Sequence, residues 1–134
     1  MAKRKSVNWP GFKHENPIPN ASMIGNILMS SIISGRDPAA GTMPPEAEAQ
    51  VANIFKQIKL AVEAAGGTPN DIIKINFWVK DPAVGRKMLN GPWTAMFPDA
   101  DSRPAAFAIC RNCGNVSAMS PRPGPPALGI QPSP

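Results

Sequence analysis

The sequence contains only two cysteines and one histidine among its 134 residues. Two cysteines are too few for a disulfide-rich secreted scaffold. No run of 18 apolar residues occurs, so no segment is predicted to span a membrane. The basic start leads into Asn8-Trp9-Pro10 rather than into the apolar core of a signal peptide. These absences favour a soluble, cytoplasmic protein of one domain.

Acidic residues are missing from both ends of the chain. Residues 1–13 carry a net charge of +4 and residues 102–134 one of +3, whereas residues 14–101 carry −2. Six of the 17 prolines fall within residues 121–134, where they exclude a helix or a central strand. We therefore expect a basic N-terminal extension over residues 1–13 and a proline-rich disordered tail over residues 119–134. One interpretation of these basic ends is that they are simply exposed to solvent. The alternative is that they bind RNA non-specifically through contacts with its phosphates.

Hydrophobic periodicity predicts an alternation of strands and helices in the middle of the chain. In order, the elements are a β-hairpin over residues 21–33, a helix over 45–65, a strand over 71–80, a helix over 83–97 and a short strand over 105–109. Strands separated by helices predict an α+β or βαβ arrangement with the helices on one face of the sheet. The other face needs a cover, and a homo-oligomer is the simplest one.

Pro92 lies inside the second predicted helix. An interior proline costs about 3 kcal/mol, so we expect a break near Asn90-Gly91-Pro92, with Asn90 capping the following segment. In the strand over residues 71–80, alternation predicts four core-facing side chains, Ile73, Ile75, Phe77 and Val79. Trp78 falls on the opposite face, which favours a partner subunit or a pocket wall there.

The order and spacing of these segments resemble the Rid family, the reactive intermediate deaminases (RidA/YjgF). The resemblance rests on Pro17–Ser31, Gly35–Gly41, Glu48–Gly67, Asp71–Asp81 and Leu89–Pro98. It implies a chorismate-mutase-like α+β fold, a β-sheet with two helices packed on one face, that forms a homotrimeric barrel with clefts between subunits. The Rid-like domain is expected over residues 14–118, with its last strand degenerate or missing.

The resemblance also implies hydrolysis of enamines and imines, such as 2-aminoacrylate and its imine tautomer, to keto acids and ammonia. A small imino or enamino acid presents a carboxylate suited to an arginine fork, and its imine carbon needs a positioned water and a proton carrier. This chemistry requires no metal and no cofactor. By the resemblance, the predicted catalytic residues are Ser31 and Asn90. The predicted substrate-binding positions are Ile18, Trp93, Arg103 and Ala106. For Trp93, packing in the core or at an interface is the alternative.

Several features of the family are absent from this chain. Ile18 stands where the family has an aromatic residue, Ala106 where it has its substrate-binding arginine and Ala108 where it has a pocket cysteine. No acid occurs within residues 102–134 to match the acidic residue of the family's last strand. We therefore expect an impaired deaminase. Arg103 is a poor substitute for the missing arginine, because it lies three residues before Ala106 and would point to the opposite face of a strand. The alternative is a non-catalytic relative that binds a small ligand or RNA.

Two further features lie near the end of the chain. Cys110 and Cys113 form a CxxC pair beside Arg111, for which coincidence, a redox pair and half of a zinc site are the alternatives. The family-like pattern also stops abruptly near residue 106. We take a disrupted reading frame as the hypothesis for this change, and the intact mass of the native protein tests it.

Overall fold

The computed structural model describes residues 2–11 and 13–110. Its strands and helices are β1 (Lys5–Val7), β2 (Ala21–Ile24), β3 (Ile27–Ser30), α1 (Ala47–Ala64), β4 (Lys74–Val79), α2 (Pro82–Met96) and β5 (Ala105–Cys110), with a 3-10 turn at Pro69–Asp71. Four predictions lie wholly or partly outside the described residues: the degenerate or missing last strand, the CxxC pair, the domain end at 118 and the tail over 119–134.

The first sheet is antiparallel, in the order β1-β2-β3. The predicted two-residue hairpin turn between β2 and β3 is confirmed, with Ile24 paired to Ile27 and Gly25 at a φ of 59°, the left-handed region that favours glycine. Strand β1 pairs with β2, and Trp9 just beyond it is buried. Residues 5–7 of the predicted basic extension therefore pair in the sheet, and Trp9 after them is packed into the core. Three residues with two polar side chains are too short a pattern to predict a strand.

The second sheet consists of β4 and β5, which run parallel and are connected through α2. This is the strand–helix–strand arrangement expected from the sequence. Phe77 is buried as predicted, and Trp78 on the opposite face is 62% exposed. Ile73 was expected in the core but lies before β4 and is 85% exposed. Strand alternation does not extend to it because Pro69–Asp71 forms a 3-10 turn just upstream.

Helix α2 continues through Pro92 to Met96, so the predicted break is wrong. Pro92 lies close to the end of the helix, and Gly91 before it has no Cβ to clash with the proline ring. Thr94 Oγ1 also donates to the carbonyl oxygens of Asn90 and Gly91, at 3.0 and 3.1 Å. Asn90 is an interior residue of the helix, and the cap is Asp81, whose side chain accepts from two backbone N–H groups at the N-terminus.

Helix α1 contacts both sheets. Ala61 packs against Trp9 and Ala21 on the side of the first sheet. On the other side, Phe55 stacks with Phe77 of β4 at a centroid distance of 6.0 Å. An aromatic cluster then continues from Phe77 through Trp93 to Phe97. Within residues 2–11 and 13–110, neither helix has the length and apolarity needed to cross a membrane.

Two amides on the buried face of α1 were not predicted. Gln57 is completely buried, and its Nε2 donates to Ser34 O and Arg36 O at 3.0 and 2.9 Å. Asn53 is 6% exposed, and its Nδ2 donates to Gly35 O at 3.0 Å. These three bonds fasten the chain after β3 to the helix. Gly35 permits the close approach, because a Cβ there would collide with Gln50.

The loop that follows is organised by Asp37. Its Oδ1 accepts from the backbone N–H of Ala39 and of Ala40, at 2.8 and 3.3 Å. The bond from Ala39, and next that from Ala40, hold the pKa of this carboxyl below its ordinary value. Because the folded pKa lies below the unfolded one, the contribution to stability is complete above an ordinary aspartate pKa of about 4. It is lost as the pH falls through the folded pKa.

Asp37→Asn is therefore expected to lower the free energy of unfolding measurably at pH 7 and much less at pH 3. The amide oxygen of asparagine can still accept both bonds, but without the charge that strengthens them. Urea unfolding of the two proteins at each pH measures the difference, with Glu63→Gln on the exposed face of α1 as the control. An equal difference between Asp37→Asn and the unmodified chain at both pH values would contradict this assignment.

Candidate functional site

Ser31 follows β3 and is tied to the segment before β2. Its backbone N–H donates to Asn20 O at 2.9 Å, and its Oγ donates to Pro19 O at 2.8 Å. The residue is half-buried. The hydroxyl hydrogen is thus directed at Pro19, while the oxygen retains capacity to accept a hydrogen bond. Pro19, whose carbonyl accepts the bond from Ser31, is the residue directly after Ile18. Two of the predicted site positions, Ser31 and Ile18, therefore lie near each other.

Ile18 and its neighbours line a cavity of about 520 Å³, called here the Ile18 cavity. Its walls are formed by Ser6, Asn8, Lys13, His14, Asn16, Pro17, Ile18, Pro19 and Asn20. Ile18 itself is 49% exposed. No carboxylate lines this cavity among the described residues. Lys13 and His14 were not predicted as site residues. Lys13 precedes the region of the resemblance, and His14 was interpreted as a loop residue.

Backbone contacts position the N-terminal wall of the Ile18 cavity. Asn8 Oδ1 accepts from the backbone N–H of Asn20 at 3.0 Å, which joins the residues after β1 to those before β2. Gly11 has a φ of 92° and lies against the Pro38 carbonyl, where a Cβ would overlap it. A glycine is required at this position because of both the φ angle and the close approach. Contacts with the rest of the fold therefore hold this wall of the cavity in place.

Asn90 is exposed on α2. Its backbone carbonyl accepts a hydrogen bond from Thr94 Oγ1 at 3.0 Å. The side-chain amide forms no hydrogen bond with Ser31 in the described part of the chain. Asn90 and Ser31 thus lie on different elements and are not joined within one chain, so the catalytic role of Asn90 stays a prediction.

The guanidinium of Arg103 is hydrogen-bonded to carbonyl groups at the end of α2. Its Nε donates to Phe97 O at 2.8 Å, and one terminal nitrogen donates to Pro98 O at 3.5 Å. These carbonyls belong to the helix C-terminus, where a cation is favourable. A second cavity, of about 240 Å³, lies beside Arg103 and Asp101 and does not include Ser31 or Ile18. This geometry supplies a structural role for Arg103 that its sequence position did not indicate.

Ala106 lies on β5 opposite Ile75 and is exposed. The position that carries the family's arginine is therefore on a regular strand with open space around a methyl side chain. Trp93 is half-buried, with its ring centroid 6.1 Å from that of Phe77 and 4.8 Å from that of Phe97. The packing alternative for Trp93 fits these contacts, and its role as a substrate contact stays a prediction.

The described residues contain no group of three or more His, Cys, Asp and Glu side chains that could hold a metal ion. The side chains that the structure places around the Ile18 cavity are instead suited to hydrogen bonding and to anion binding. Such a set can bind a small carboxylic acid and order a water molecule beside it.

Comparison with known proteins matches this fold to one family. The family model described as Endoribonuclease L-PSP matches residues 14–120. A RutC family protein of Haemophilus influenzae is 34% identical over 65 residues, which are 48% of this chain and 50% of that protein. The match thus spans about half the length of this curated relative.

Solved structures extend the similarity to most of the chain. RidA from an Antarctic Psychrobacter species is 26% identical, with a TM-score of 0.69 over 80% of this chain and 85% of that one. The YjgF gene product of Escherichia coli is also 26% identical, with a TM-score of 0.68 over 80% and 85% of the two chains. The predicted Rid/YjgF fold is thereby confirmed, although the structure of one chain does not include the trimer. The family-model match and these two structures together place the chain in the Rid/YjgF family, the Endoribonuclease L-PSP family.

Proposed function

We propose that the chain hydrolyses small enamino and imino acids to 2-oxo acids and ammonia in the cytoplasm, at a low rate. The observation that carries this proposal is the hydrogen bond from Ser31 Oγ to the carbonyl oxygen of Pro19, a residue that lines the Ile18 cavity. Family membership supports the same reaction class, which the sequence resemblance associates with RidA-like proteins.

The reaction requires three proton transfers and one water molecule. 2-Aminoacrylate gains a proton at C3 and loses one from nitrogen, which yields its imine tautomer. A water oxygen then adds to C2 while the C=N electron pair moves to nitrogen and is protonated there. The carbinolamine transfers its hydroxyl proton to nitrogen, the C–N bond breaks, and ammonia leaves pyruvate behind. No cofactor is consumed in these steps.

Ser31 is suited to orient the water or the imine. Because its hydroxyl hydrogen is directed at Pro19 O, the Oγ lone pairs accept from the attacking water or from a protonated imine nitrogen. The Asn90 amide offers both a donor and an acceptor on the exposed face of α2. Its contribution to the same site requires a neighbouring subunit, which is consistent with clefts between the subunits of a homotrimer.

Exposed apolar side chains support the homotrimer. Ile27 is 66% exposed, Met29 75%, Ile32 71% and Trp78 62% in the single chain. Isolated apolar side chains on a surface are ordinary, but contiguous apolar patches mark interfaces. Three of these residues belong to β3 and the segment directly after it, as expected for a sheet face that a second copy covers.

The low rate follows from Ala106. A carboxylate bound by arginine receives two charge-assisted hydrogen bonds in a fixed geometry, and alanine supplies none. Arg103 does not replace it, because its guanidinium is bonded to the carbonyls of Phe97 and Pro98.

Ammonia release from 2-aminoacrylate generated in situ tests the proposed function. The unmodified chain is expected to exceed a protein-free blank, and Ser31→Ala is expected to reduce the rate about 100-fold, the lower end of the range for loss of one positioned catalytic group. Ser30→Ala is the matched control, since Ser30 is the exposed preceding residue and is expected to keep the full rate. Equal rates for Ser31→Ala and the unmodified chain would contradict the role of Ser31.

A relative that binds without turnover is the second candidate. Ala106 favours this candidate. Without an arginine at this position, no guanidinium holds the substrate carboxylate for reaction, whereas other groups of the protein remain to bind a ligand. The exposed Lys3, Arg4 and Lys5 favour RNA as the ligand of such a protein. Ammonia release at the level of the blank, together with retained ligand binding, would decide for this candidate.

A further inference from the structure

The peptide group that joins Pro19 to Asn20 is hydrogen-bonded on both of its sides. Its carbonyl oxygen accepts from Ser31 Oγ at 2.8 Å, and its N–H donates to Asn8 Oδ1 at 3.0 Å. The peptide bond is trans, so the oxygen and the hydrogen project from opposite sides of one planar group. The Asn8 amide and the Ser31 hydroxyl are therefore connected through a single peptide group, although no hydrogen bond joins them directly in the described part of the chain.

Ser31 is held by two consecutive carbonyl groups. Besides the bond from its hydroxyl to Pro19 O, its backbone N–H donates to Asn20 O at 2.9 Å. Asn20 is only 2% exposed, and its Nδ2 donates to the carbonyl oxygen of the buried Trp9 at 3.4 Å. These buried neighbours fix both the peptide group and the serine in the fold, so the loss of one exposed side chain does not release them.

Asn8 is such an exposed side chain, and it precedes residues 14–120, which match the family. Hydrogen bonds that form a chain polarise one another. An acceptor at the N–H of a peptide group therefore moves electron density to the carbonyl oxygen of the same group. Through this effect Asn8 makes Pro19 O a stronger acceptor for the Ser31 hydroxyl hydrogen. Ser31 Oγ then carries more negative charge for the water or protonated imine that it is proposed to bind.

We infer that Asn8 is a positioning residue, which orients and polarises the Ser31 hydroxyl through the peptide group between Pro19 and Asn20. The reaction that this arrangement assists rests on the proposed function. Asn8 acts without touching the substrate, so its contribution belongs to the transition state and lowers the barrier of the chemical step. The effect of removing it is therefore expected in kcat and not in KM.

Two substitutions of Asn8 test this inference through ammonia release from 2-aminoacrylate generated in situ. Asn8→Leu keeps the size of the side chain and removes the acceptor. It is expected to lower kcat about fivefold, the worth of one neutral hydrogen bond, and to leave KM unchanged. Asn8→Asp at pH 7 restores an acceptor of the same shape, and kcat is expected to recover at least to that of the unmodified chain, because a charged acceptor is stronger.

Asn70→Leu is the matched control, since it makes the same change at an exposed asparagine in the 3-10 turn before β4, and it is expected to keep the full rate. An unaltered kcat in Asn8→Leu, or a kcat that Asn8→Asp does not restore, would overturn the inference. A rise in KM with kcat unchanged in Asn8→Leu would also overturn it, because this result would place Asn8 in contact with the substrate.

The Cβ resonance of Ser31 in the carbon-13 NMR spectrum of the full chain reports the same connection without turnover. It is expected to shift in Asn8→Leu, to return in Asn8→Asp towards its position in the unmodified chain, and to stay in place in Asn70→Leu. Ammonia release by the unmodified chain together with an unshifted Ser31 resonance in Asn8→Leu would refute the role of Asn8 alone. The expected shifts without ammonia release would refute the proposed function alone.

Discussion

Ala106→Arg is expected to raise the rate of ammonia release from 2-aminoacrylate about 100-fold. A bidentate guanidinium gives the carboxylate two charge-assisted hydrogen bonds, together worth about 3 kcal/mol, and each 1.4 kcal/mol realised in the transition state is a factor of ten. Ala106 is exposed on β5, so the longer side chain has access to solvent.

Ala105→Arg is the matched control for this gain. Ala105 is the preceding residue of β5 and is also exposed, but its side chain points to the opposite face of the strand. The two variants have the same net charge, so a difference between them reports position alone. Equal rates in the two variants would contradict a carboxylate site at residue 106 and would indicate a general effect of positive charge.

Gln57→Glu is expected to lower the free energy of unfolding by about 4 kcal/mol at pH 7, the range seen when a buried polar partner is broken and a charge is left unpaired. Gln57 is completely buried, and its amide nitrogen donates to the carbonyl oxygens of Ser34 and Arg36. A carboxylate of the same shape has no hydrogen to donate and would place a negative charge against both carbonyls. The loss is expected to shrink at low pH, because a protonated glutamate regains one donor.

Gln50→Glu is the comparison for this variant, measured by urea unfolding at pH 7. Gln50 is half-buried on the same helix and donates one bond, to Pro44 O at 2.8 Å. It is expected to cost about 1 kcal/mol, as for one partly exposed hydrogen bond. If the two variants cost the same, the contact of Gln57 with residues 34–36 does not stabilise the fold as described.

Elements with strong internal patterns were predictable from the sequence. The hairpin of β2 and β3, the helix α1 and the strand β4 each have a periodicity or a turn signal of their own. Strand β1 does not, because its place in the sheet depends on the edge of β2. Gln57 could not be predicted as a core residue, since its burial depends on loop carbonyls 21 and 23 residues away in sequence.

The candidate site was predictable only in part. Ser31 and Ile18 came from the resemblance, and the structure brings them together through Pro19. The use of Arg103 by the end of α2 was not predictable, because it depends on the geometry of two carbonyl groups. Lys13 was not predicted as a site residue for a different reason. The segment before residue 14 has too little pattern to predict that Lys13 lines the cavity.

The most direct test of the central claim is the stoichiometry of products formed by the unmodified chain, checked first by intact mass, from 2-aminoacrylate generated in situ. If the chain is a weakened Rid-type deaminase, ammonia and pyruvate appear in equal amounts, above the protein-free blank, and in proportion to protein concentration. Product at the level of the blank from both the unmodified chain and Ala106→Arg would contradict the deaminase assignment.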